Sequence, residues 1–81
     1  MTELTYGEAV RRLRIARGLS QDELAALAGI SGRQIERLER GQARPSAGRQ
    51  ERVSAALGFD RNRDLVLAAS LEPRRSAGEV A

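Results

Sequence analysis

The stretch from Gln21 to Arg40 reads QDELAALAGISGRQIERLER. Its small and apolar residues fall where two short helices crossing at a tight turn need them. Ala25 is small enough to let the first of these helices meet the second. Gly29 supplies the positive φ that a sharp turn demands, and Ile30 follows it into the core. Ile35 and Leu38, three residues apart, form the inner edge of the second helix.

Working outward, the chain reads as five helices and a tail. A helix over Tyr6–Arg17 carries Val10 and Leu13 on its inner face and stops at Gly18. Ser20 caps the next helix, Gln21–Ala28, with Glu23 completing a capping box. Ser31 caps the third helix, Gly32–Arg40, which Gly41 ends. A loop to Pro45 leads to Ser46, the cap of a fourth helix over Ala47–Leu57. Gly58 ends that helix, and Asp60 is placed to cap a fifth over Arg61–Ser70. No strand-like alternation and no internal repeat occurs. The expected division is a folded domain over residues 1–71 and a disordered tail over residues 72–81, where polar and small residues lack any period.

Eighty-one residues make one small domain. With no cysteine, disulfides and thiolate metal sites are excluded. With no histidine, the commonest acid–base group and metal ligand is missing too. The acids are spread as surface pairs, so no catalytic constellation can be drawn. The expectation is a non-enzymatic protein without metal, cofactor or small-molecule ligand. No apolar run approaches the roughly 20 residues that span a bilayer. The N-terminus lacks the layout of a signal peptide, so a cytoplasmic protein is expected.

The net charge of +3 has a location. Residues 1–31 hold four Arg and four acids, and residues 53–81 hold four of each. Residues 32–52 hold six Arg against three Glu. A GC-rich coding bias accounts for the absence of lysine, but not for where the charge sits. On a wheel of about 100° per residue, Ile35 and Leu38 take one side of the third helix. Arg33, Arg37 and Arg40 take the other. Three guanidinium groups on one outward face suit the major groove of double-stranded DNA, where Arg grips guanine O6 and N7 with two hydrogen bonds. This is the helix-turn-helix arrangement, whose second helix is the reading helix. Arg33 and Arg37 lie early enough to reach bases, whereas Arg40 is placed for phosphate. Glu36 is expected to pair with Arg40 at i+4. Ser20 and Gln21 open the second helix, where free N–H groups and a side-chain donor suit a phosphate. Gln42 and Arg44, in the following loop, could hold another.

The segment from Gly7 to Gly58 resembles the Cro and phage-repressor class of helix-turn-helix domains, also called the xenobiotic-response-element type. The residues that carry the likeness are Arg14, Gly18-Leu19-Ser20-Gln21, Leu24-Ala25 and Gly29-Ile30-Ser31. They continue with Ile35, Leu38-Glu39-Arg40-Gly41, Pro45 and Leu57-Gly58. The resemblance implies an all-α, five-helix bundle of the lambda-repressor kind that binds operator DNA as a symmetric dimer inside a bacterial cell. It implies that Gln21 contacts the DNA backbone and that Gly32, Arg33 and Arg37 face bases. It also implies an inner ion pair between Arg14 and Glu39. Position 32, often a long polar residue in this class, is glycine here. The fourth helix has a polar run, Arg49-Gln50-Glu51-Arg52, in place of a strong apolar stripe, leaving Ala47, Val53, Ala56 and Leu57 to bury. It is expected to pack weakly, or to turn Gln50 and Glu51 toward a partner.

Leu65, Val66, Leu67, Ala68, Ala69 and Leu71 leave the fifth helix apolar on nearly every side. Its own small core can cover one face. Phe59, Leu65, Val66 and Leu67 are therefore expected to form a homodimer interface through an isologous contact. The leading expectation is a sequence-specific transcriptional regulator, in the simplest case a repressor on a short palindromic operator. The alternative is an antitoxin-like or controller subunit that binds a protein partner as well as its own promoter, with the tail Glu72–Ala81 as the extra contact.

Overall fold

A computed structural model describes residues 4–42 and 44–72. The five helices among the described residues are α1 (Tyr6–Ala16), α2 (Gln21–Ala28), α3 (Gly32–Glu39), α4 (Ala47–Ala56) and α5 (Asn62–Leu71). The expected all-helical class and helix order hold, with every end within one residue of the sequence reading, and the cap differs at α5. There Asp60 does not cap: Arg61 occupies the N-cap position and makes no side-chain cap bond, so the helix starts one residue late. The expected tail lies, from residue 73 on, outside the described residues. No helix among the described residues is long and apolar enough to cross a membrane.

Local chemistry sets the other starts. Ser20 accepts from the Glu23 amide, and the Glu23 carboxylate accepts from the Ser20 amide at 2.8 Å. That backbone bond, with a smaller contribution from the Ser20 hydroxyl, holds the Glu23 carboxyl below its usual range. Ser31 and Gln34 form a second reciprocal box at α3. The Ser31-x-x-Gln34 spacing carries that box in the sequence as well. Gly29 takes φ 71°, closing α2 and launching the turn into α3.

Among the described residues, twelve buried apolar side chains form one core, with contributions from all five helices. Leu13, Leu24, Ile35, Leu57 and Leu65 are its largest members, each almost wholly buried. Gly7 shows how closely α1 and α3 approach. A β-carbon there would overlap the Leu38 carbonyl oxygen, a backbone atom that cannot swing aside. The end of α3 is thereby seated on the start of α1.

Of the polar run of α4, Gln50 is used internally, while Arg49, Glu51 and Arg52 are exposed. Gln50 accepts from Asn62 Nδ2 at 2.6 Å, and its backbone carbonyl accepts from the Tyr6 hydroxyl at 2.8 Å. Ser54, fully buried, lies 3.0 Å from the same hydroxyl and donates to Asn62 Oδ1. This chain fixes α1, α4 and α5 in register. Ala47, expected inside, is exposed, and Ser54 takes a core place instead.

Burial pushes the Tyr6 phenol above the ordinary value of about 10, against a smaller opposing effect of the Ser54 hydrogen bond. A phenol held protonated more firmly in the folded state contributes stability that is complete below about pH 10. That contribution is lost as pH rises through the folded-state value. Between about pH 9 and 12 Tyr6 is the one side chain able to titrate, since the chain has no Lys or Cys. Ultraviolet absorbance is therefore expected to show a late phenolate transition accompanied by falling stability to urea. Tyr6→Phe is expected to abolish the alkaline fall. A stability curve of Tyr6→Phe that still declines over this range contradicts the assignment.

Candidate nucleic-acid interface

The surface built by α2 and α3 rests on a pair of groups inside it. Arg14 on α1 reaches Glu39 at the end of α3, with Nε donating to Oε2 at 2.7 Å and the second bond, to Oε1, at 3.0 Å. The side chains are 12% and 3% exposed. Arg14 also donates to the Leu19 carbonyl at 2.9 Å, holding the link before α2. Gln21 Nε2 donates to Glu39 Oε1 at 3.1 Å. One carboxylate thus gathers three N–H donors from α1 and α2 and orients the helix that carries it. No buried side-chain nitrogen or oxygen among the described residues lacks a partner.

Outside this pair, α3 is sharply two-sided. Ile35 and Leu38 are buried, while Arg33, Arg37 and Arg40 point away from the core. Glu36 and Arg40 pair at i+4 with 3.4 Å between nitrogen and oxygen, both largely in solvent. Such a pair adds little stability but keeps Arg40 beside the helix end. Arg33 and Arg37 make no ion pair among the described residues. The two line an open cleft of about 750 Å³ together with Gln21, Asp22, Gly32, Glu36 and Gln42. The groove is polar and faces outward between the start of α2 and the length of α3.

The cleft gathers most of the residues singled out in the sequence for DNA: Gln21, Gly32, Arg33, Arg37 and Gln42. Ser20 stands beside it as the cap of α2, its hydroxyl oxygen accepting from the Glu23 amide and its O–H left to donate. Gln21 has less freedom than a surface donor, because one amide bond is committed to Glu39. Arg44 lies apart, in a smaller hollow of about 120 Å³ with Arg37, Pro45 and Arg49. Asp22 joins the cleft without any sequence signal for DNA, although its place next to Gln21 at the head of α2 puts it within reach.

The proposed dimer face needs one correction. Leu65 is fully buried in the core of its own chain and has no surface to offer a partner. Val66 and Phe59 are partly buried against that core, and the Arg17 guanidinium lies 5.5 Å from the Phe59 ring centre. The apolar surface left on α5 is Leu67, 54% exposed, and Leu71, 84% exposed, one helical turn apart.

The helix-turn-helix domain family matches residues 5–66, a span that reaches from the α1 cap into α5. Comparisons with curated proteins and with solved structures gave no match. Matched over most of its length, and folded as that family requires, the chain belongs to the helix-turn-helix domain family.

Proposed function

We infer that this chain is a sequence-specific, double-stranded-DNA-binding transcriptional regulator, acting as a twofold dimer on a short palindromic operator. The observation that carries the reading is the outward face of α3. Two arginines without ion-pair partners among the described residues line an open cleft, and a buried carboxylate holds their helix rigidly. In this reading Arg33 and Arg37 contact base edges, and Gly32 brings the backbone close to them. Ser20, Gln21, Arg40, Gln42 and Arg44 contact phosphates, which set register without reading sequence. Repression is the simplest outcome of such binding.

Leu67 and Leu71 support a dimer, because two large exposed side chains one turn apart make a self-complementary strip for a second copy. A twofold pair presents its reading helices about 34 Å apart, the spacing of successive major-groove faces. Leu67→Glu is expected to weaken dimerisation at least about tenfold, through reduced apolar burial and two carboxylates brought together. Operator affinity is expected to fall with it, and light scattering should report the monomer mass. A dimer mass unchanged by this substitution removes Leu67 from the interface. Selection from randomised duplexes with the purified protein tests the whole reading. A recovered inverted repeat supports it, and a pool without consensus refutes it.

A further inference from the structure

We propose that Asp22, from α2, reads a cytosine in place of the side chain that position 32 lacks. The inference rests on the regulator reading above and assigns one base of its operator.

The first residue of a reading helix is where side chains reach base edges. In α3 that residue is Gly32, which has none to send. The space is nevertheless filled. A β-carbon at Gly32 would overlap Asp22 Oδ1, so the carboxylate stands where a side chain of residue 32 would begin. Asp22 is exposed and lines the same cleft as Arg33 and Arg37.

Its partners, or their absence, set it apart from the neighbouring acids. Glu23 accepts from Ser20, Glu36 pairs with Arg40, and Glu39 is held by Arg14 and Gln21. Asp22 has no hydrogen-bond or ion-pair partner among the described residues. Its place in the first turn of α2 suits that helix dipole, but any acid pointing away from the cleft would serve as well. A bare carboxylate facing DNA is repelled by phosphate, and it lowers affinity unless it accepts a hydrogen bond there. The major groove offers two amino donors, cytosine N4 and adenine N6. Adenine sets its N7 acceptor beside N6, against the second carboxylate oxygen. Cytosine presents only C–H beside N4. The acid therefore selects cytosine, next to an arginine suited to guanine.

Selection and affinity measurements on the full chain test this. The wild type is expected to recover cytosine at one position of each half-site. Asp22→Ala is expected to lose that preference alone, with roughly tenfold weaker binding to the selected operator. Asp22→Asn, whose amide matches adenine N6 and N7, is expected to shift the position toward adenine. Gly32→Ala leaves the charge in place but displaces the carboxylate, and is expected to blur the same position. Thermal melts of the Asn variant confirm that the fold is intact. Variants that bind every sequence more tightly, with base preferences unchanged, overturn the assignment and leave Asp22 a simple repulsive charge. A wild type with no sequence preference at all overturns the regulator reading itself, and this assignment with it.

Discussion

Glu39→Ala is expected to lower the stability of the domain by about 3–5 kcal/mol, more than any surface substitution in the chain. The size follows from what the alanine leaves behind. Arg14, its side chain 12% exposed, would keep its charge with Nε and one terminal nitrogen unpaired. Gln21 would lose its bond at the same time. A domain of this size has about 5–15 kcal/mol in total, so roughly a fifth or more would go. The midpoint of thermal unfolding is expected to fall by at least about 12 °C. Arg14→Ala is expected to cost as much, since it strands Glu39 and also frees the Leu19 carbonyl. The pair itself is not the source of the loss. Two buried charges gain little net stability over apolar groups of the same size. The double variant Arg14→Met, Glu39→Met is accordingly expected to be more stable than either alanine variant. Urea unfolding followed by circular dichroism measures all three. A double variant as unstable as the sum of the two singles would show that the residues act independently and that the shared carboxylate does not anchor α3.

The same pair marks how far the sequence can be read. Helix order, the capping serines and the turn at Gly29 are legible, because each depends on chemistry within a few neighbouring residues. Ser20 with Glu23 three residues on is a local statement, and so is the apolar spacing of Ile35 and Leu38. The link from Arg14 to Glu39 spans 25 residues and comes only through family resemblance. Pairings that join distant segments without a pattern stay hidden. Nothing local in Arg49-Gln50-Glu51-Arg52 says that Gln50 meets Asn62, so α4 reads as weakly packed when it is tied to α5. Leu65 is misplaced for a related reason. An apolar residue on an all-apolar helix has two possible destinations, and only the packing of α5 shows which one claims it. Asp22 escapes notice because an acid in a helix's first turn has an ordinary explanation in the helix dipole.

The reading face supplies the second large effect. Arg33→Ala and Arg37→Ala are each expected to cost about 1–3 kcal/mol per half-site, hence roughly 2–6 kcal/mol in a twofold complex. That corresponds to between about 30-fold and 10⁴-fold in operator affinity. Stability should hardly change, because both side chains lie outside the core and make no ion pair among the described residues. The loss is expected to be concentrated on the selected sequence, with tolerance appearing at one base pair per half-site. Arg44→Ala provides the contrast. A phosphate contact is blind to sequence, so this variant is expected to weaken all duplexes alike. It is also expected to reduce the slope of log affinity against log salt by about 0.9 for each phosphate no longer neutralised. The difference between the two patterns decides the matter, rather than the size of either loss. Titrations of selected and scrambled duplexes at several salt concentrations measure both quantities at once. If Arg33→Ala and Arg37→Ala weaken selected and scrambled duplexes equally, with the salt slope falling as for Arg44→Ala, their guanidinium groups lie on phosphates. The outward face of α3 then holds the backbone without reading the bases.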